Sequence, residues 1–188
     1  VAQDAGPLDR RDPRAACLQA ARAAEQAHGL PQGLLVAIAL SESGLHAHAL
    51  NIGGRSHFPA EATEARRLAA QATARRLPVM AGCMQVNWRV HVAPGQDWPL
   101  DPRRAVDWAA RDLRRHYDRS GSWAEAIRRW HGGSGAEAQR ILCRVRGKLA
   151  AASPGSALLD GQACTGSTLA RDGRNGRALI EMAEAPGP

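Results

Sequence analysis

The sequence predicts a mostly α domain with one short β element, and three observations carry that prediction. Helix starts and stops are marked by Asp-Pro pairs, Ser-x-x-Glu boxes and glycines. Apolar residues recur at three- and four-residue steps over much of the chain. Two stretches, HALNIGGRSHF and VMAGCMQVNW, break that period with β-branched, glycine and polar residues.

Taken in order, Asp12-Pro13 is an N-cap followed by proline at the first helical position, and Gly29 is a C-cap, so a first helix runs from Pro13 to His28. Pro31 opens a second helix that ends at Gly44. HALNIGGRSHF then reads as extended chain. Pro59 to Leu77, rich in Ala, Arg and Glu and stopped by Pro78, reads as a third, more exposed helix. VMAGCMQVNW has strand character, so two short strands or extended loops are expected beside a groove. Asp101-Pro102 starts another helix, with Val106, Ala109, Leu113 and Tyr117 on one face and Gly121 at its end. Ser122 with Glu125, and Ser134 with Glu137, form two capping boxes that launch two further helices. The last of these buries Ile141, Leu142, Val145 and Leu149. Residues 1–12 read as an N-terminal arm and 13–152 as one domain. Residues 153–188, rich in Pro, Gly, Ser, Asp and Thr, read as an irregular tail.

At 188 residues the chain can bury a core without staples, and no apolar run reaches the ~20 residues that span a bilayer. The net charge of +7 points to an anionic partner, whether nucleic acid, membrane surface or wall polymer, or else to a solvated arginine surface. Nucleic acid is the poorest fit, because no aromatic platform interleaves the arginines. No P-loop, G-x-G-x-x-G or H-E-x-x-H occurs, and the four cysteines form no C-x-x-C pair, so neither nucleotide nor zinc chemistry has a foothold. The even, wide spacing of Cys17, Cys83, Cys143 and Cys164 fits two disulfides in an oxidising compartment, or four buried thiols. Val1 opens no secretory leader, and export implies that one has been removed.

Glu42 stands out. Leu35, Ile38, Glu42 and Leu45 step by three, four and three residues, which places this carboxyl on the apolar stripe of its helix. Either a basic neighbour pairs with it, or the protein wants a carboxyl out of water. A carboxyl group kept from water tends to hold its proton, the property a general acid needs.

Three segments then resemble one family. Glu42-Ser43 within AIALSESG is similar to the catalytic Glu-Ser element of lysozyme-like lytic transglycosylases, in the soluble, goose-type lysozyme superfamily. Gly82-Cys83-Met84-Gln85-Val86-Asn87 resembles that family's G-L-M-Q-I-N stretch. Trp123-x-x-Ala126-Ile127-x-x-Trp130-His131-Gly132-Gly133 resembles its W-x-x-A-I-x-x-Y-N-A-G stretch. The order agrees, and the likeness covers roughly Cys17 to Leu149.

The resemblance implies a lysozyme-like fold with a glycan-binding cleft, and cleavage of the β-1,4 bond between N-acetylmuramic acid and N-acetylglucosamine in peptidoglycan. One glutamate protonates the glycosidic oxygen and then deprotonates the sugar's own 6-hydroxyl, closing a 1,6-anhydro ring; no cofactor or metal is required. Carried onto this chain, Glu42 is the acid and base, and Ser43, Met84, Gln85, Asn87, Trp130 and His131 line the substrate. Met84 also reads as core, Gln85 as a turn cap and Ser43 as a helix end. Trp130 and His131 replace the family's tyrosine and asparagine, and Met80-Ala81 lacks the acidic residue that commonly precedes the glycine. A hydrolytic muramidase would need a second carboxylate, for which Asp97 and Asp101 are candidates. A wall-binding scaffold without activity is the rival of another class.

The long segment between Glu42 and Gln85 resembles a flagellar or secretion-associated branch of the family, so a partner from such a machine and a periplasmic location are expected. Arg66, Arg67, Arg75 and Arg76 either attract an anionic polymer or form a solvated face. Within the resemblance, Cys17 is expected to pair with Cys83, and Cys143 with Cys164.

Overall fold

The structure is a computed structural model that describes residues 12–133 and 135–186. Eight α-helices and a four-stranded antiparallel sheet are described: α1 (Pro13–His28), α2 (Leu34–Ser43), β1 (Leu50–Ile52), β2 (Arg55–His57), α3 (Ala62–Ala74), β3 (Val79–Ala81), β4 (Val86–Asn87), α4 (Trp88–His91), α5 (Pro102–Ser120), α6 (Trp123–His131), α7 (Gly135–Ala152) and α8 (Gly166–Glu184). This is the mostly α architecture that the punctuation predicts, in the lysozyme-like form that the resemblance implies. The N-terminal arm and Ser134 of the second capping box lie outside the described residues.

Local chemistry explains most helix ends. Asp12 accepts a hydrogen bond from the Arg14 N–H at 2.8 Å, with Pro13 pre-set for the first turn, and Gly29 closes α1 in a left-handed conformation. Asp101 does the same for α5 by accepting from Arg103 and Arg104. The box before α6 is half formed. Ser122 Oγ accepts from the Glu125 N–H, while the Glu125 carboxylate turns outward to Arg129 at 2.8 Å.

α2 departs from its expected start at Pro31 and from its expected amphipathic face. It begins at Leu34 after a left-handed Gly33 that offers no side-chain cap. Glu25 of α1 supplies one instead, accepting from Gly33 N–H at 2.9 Å and Val36 N–H at 3.0 Å. A buried carboxylate on a helix N-terminus satisfies donors that have no intrahelical partner. Every residue of α2 from Leu34 to Leu40 is buried, so the helix has no wet face; it packs against α1, α7 and α8 as the central rod of the fold.

Two apolar cores result. The larger joins α1, α2, α5, α6 and α7; the smaller sets Ala65, Ala69 and Ala72 of α3 under Leu50, Val79, Ala81 and Leu100. α3 is the more exposed helix expected, and its buried stripe of alanines packs on the sheet. Strand order is β2-β1-β3-β4, with Leu50 opposite Ala81 and Ile52 opposite Val79.

The expectation of an irregular 153–188 tail is overturned by α8, 19 residues long and laid along α7. Gly147 of α7 and Gly176 of α8 are what let the two helices approach. A Cβ on Gly147 of α7 would lie 2.6 Å from Asp172 Cβ, and one on Gly176 would lie 3.1 Å from Ala151 Cβ. Close packing of two backbones compensates a poor helix propensity that a sequence window counts against the segment. Residues 153–165 are irregular as expected, apart from buried Leu159. Both expected disulfides are present: Cys17–Cys83 joins α1 to the turn after β3, and Cys143–Cys164 joins α7 to the segment before α8.

Candidate active site

Glu42 occupies the last turn of α2, where the chain leaves the large core for the sheet. Gly44 and Leu45 both adopt left-handed conformations, φ 61° and 66°. Their N–H groups return to the Leu40 and Ala39 carbonyls, the Schellman pattern that turns a chain sharply out of a helix. The Glu42 side chain is 15 % exposed and so poorly hydrated.

The Gly82–Asn87 segment is fastened beside it. Ser43 Oγ donates to the Cys83 carbonyl at 2.8 Å and lies 3.2 Å from Ala39 O, so the residue after Glu42 holds the turn. Gly82, at φ 78°, donates to Ala49 O at 2.8 Å, and a Cβ there would sit 1.8 Å from Pro99 O, which excludes every other residue. Gln85 has φ 47°, costing about 1–2 kcal/mol for a non-glycine residue. Its amide nitrogen bridges Ala49 O at 3.2 Å and Gly82 O at 3.0 Å, which offsets the strain and leaves Oε1 as an acceptor.

The expected site residues separate. Glu42, Ser43, Gln85 and His131 converge on this junction through the contacts just described and one more: His131 Nδ1 lies 3.7 Å from Glu42 Oε1. Met84 does not join them as a surface contact. At 1 % exposure it belongs to the large core, because the half-strained turn that exposes Gln85 points its neighbour inward. Asn87 accepts from the Val90 N–H at 3.4 Å and so caps α4. Trp130 packs partly buried on the large core, with its indole Nε1 shielded from water and no partner among the described residues.

His131 is the electrostatic surprise. Its contact with the Glu42 carboxyl raises its pKa above the ordinary imidazole value; burial opposes this, while the charges of Glu42 and Glu137 add to it and Arg144 subtracts. At 3.7 Å this is an ion-pair distance rather than a hydrogen bond. Glu137 Oε1 stands 4.0 Å from His131 Nε2, so the imidazole lies between two carboxyl groups. Glu137 was legible only as the fourth residue of a capping box. His46, four residues after Glu42, is structural: burial lowers its pKa to about 4, and its Nδ1 accepts from the His48 N–H at 3.2 Å. Of the two candidate second carboxylates, Asp97 pairs with Arg66 at 2.7 Å and Asp101 caps α5.

A helical body beside a small antiparallel sheet, with a poorly exposed glutamate at the helix end between them, makes a lysozyme-like arrangement. The chain belongs to the Transglycosylase SLT domain family, whose model matches residues 19–144, more than half of its length. It is thus a peptidoglycan lytic transglycosylase, a non-hydrolytic glycan lyase of the lysozyme-like superfamily. Comparison with curated proteins and with solved structures returned no significant match. The family's substrate lies outside the cytoplasm, and two disulfides fit an oxidising compartment. No helix among the described residues is long and apolar enough to cross a membrane.

Proposed function

We propose that Glu42 alone carries the reaction, first as acid and then as base. It donates its proton to the glycosidic oxygen between N-acetylmuramic acid and N-acetylglucosamine, and the C1–O bond breaks. The carboxylate then takes the proton of the muramic acid 6-hydroxyl as that oxygen bonds to C1, closing the 1,6-anhydro ring and returning Glu42 to its starting state. No water is consumed.

The observation that carries this reading is the position of Glu42: 15 % exposed, at the end of the buried helix α2, and tied through Ser43 to the Gly82–Asn87 turn. The engagement of Asp97 and Asp101 elsewhere supports one-carboxyl chemistry over hydrolysis. Gln85 Oε1 accepts from an N-acetyl N–H, and Trp130 supplies apolar packing beneath the site. Met84 and Asn87 act on the site as packing and as a cap. We place the protein in the periplasm. A flagellar or secretion-system partner fits the inserted β1–β2 hairpin and α3, where Arg75 and Arg76 form no ion pair among the described residues while Arg66 and Arg67 are paired.

Mass spectrometry of digested peptidoglycan tests the reading. Active protein should release 1,6-anhydro muropeptides, and Glu42→Gln should lower that release by about a hundredfold or more. Reducing ends in place of anhydro ends would make it a muramidase. Equal, poor release by both proteins would make it a scaffold.

A further inference from the structure

Resting on the reading of Glu42 as the acid, we propose that His131 is a positioning residue that sets the pH window of the reaction by holding an ionisable imidazole against the Glu42 carboxyl. The geometry carries this. His131 Nδ1 faces Glu42 Oε1 at 3.7 Å, both side chains are mostly buried (23 % and 15 % exposed), and Nε2 faces Glu137 at 4.0 Å. No hydrogen bond to a backbone carbonyl or to another side chain locks the ring in one tautomer among the described residues.

The imidazole is the group whose charge changes: facing the Glu42 carboxyl raises its pKa, so His131 stays a cation to higher pH than a free imidazole would. As a cation 3.7 Å from the carboxyl that must hand a proton to the leaving oxygen, it works against the acid step and favours the base step. A neutral side chain at this position would remove that opposition.

The charged groups facing the ring come from two elements: Glu42 from α2, and Glu137 and Arg144 from α7. Glu137 is 65 % exposed and Arg144 is exposed as well, so solvent screens both. The Glu42 contact dominates. The sign follows from it: an imidazole whose pKa is raised on folding contributes stability at acid pH that is lost as pH rises through that raised value.

Two measurements test the proposal. In the first, muropeptide release by wild type and His131→Asn is followed across pH 4–8 and expressed as a ratio at each pH, which cancels changes in the substrate. The ratio of variant to wild type should rise with pH, with the alkaline limb of the variant displaced upward by about one unit. A ratio that is flat across pH would mean that His131 only packs or binds sugar, and would overturn the proposal. In the second, the His131 ring is titrated by NMR in wild type and in Glu42→Gln, which needs no activity. The midpoint should fall by about one unit in the variant, and an unchanged midpoint would overturn the coupling. Failure of the functional reading looks different: Glu42→Gln would then keep its muropeptide release whatever the His131 titration shows.

Discussion

Ser43 shows how a small side chain governs a larger one beside it. Its hydroxyl is the bond between α2 and the turn carrying Gln85, and it is buried at 6 % exposure. Ser43→Ala leaves the Cys83 carbonyl without that donor. We expect a loss of about 1–2 kcal/mol in stability, read as a lower Tm, and a fall in kcat larger than any change in KM. The fall in kcat arises because Glu42 is held one residue away. At this scale residue type was a poor guide to how a side chain is used. Gln85 and Met84 are adjacent in one motif, yet the first presents a free amide oxygen and the second vanishes into the core. The left-handed φ at Gln85 makes that difference, and nothing in the one-letter string announces it.

α2 gives the element-scale lesson. Glycine at its N-terminus supplies no cap, and Glu25 reaches from α1 to do so. Glu25→Ala orphans two buried N–H groups, and we expect a loss of about 2–3 kcal/mol by denaturant titration. Burial raises the pKa of Glu25, against the pull of its bonds to Gly33, Val36 and Leu35 and of the Arg22 charge. A carboxyl with a raised pKa contributes most at low pH and less as pH climbs through that value. The stability gap between wild type and the alanine variant should therefore narrow as pH increases. Boundaries of α1, α5 and α6 were readable because their caps lie in the adjoining residues. The α2 boundary was not, because its cap lies nine residues upstream of the first helical position, on another element.

For the whole molecule, α8 and the two disulfides matter most. The match to the family ends at residue 144, yet α8 packs on α7 and α1 and touches α2 at Leu40 and Gly44. Arg22 of α1 reaches Glu184 of α8 at 2.7 Å. The helix is thus part of the body that holds α2, on which the proposed acid sits. Closing the loop between Cys143 and Cys164, separated by 21 positions, should contribute about 3 kcal/mol by restricting the unfolded chain. A Cys143→Ser, Cys164→Ser double variant should melt lower by that order, with hydrogen exchange rising first in α8. If exchange rose evenly throughout, the bridge would be acting on global stability alone.

What the sequence determined by itself was the helical class, most helix limits and the three motif segments. These are encoded locally or in the order of short motifs along the chain. Which cysteines pair, one connectivity of three, was decided by the fold. Tertiary structure alone decided that α2 is buried on all sides, that a glycine-bearing tail becomes a helix, and that His131 meets Glu42 across two helices. Each of these depends on a neighbour distant in sequence, and the energy of burying a surface or a charge is set by what covers it.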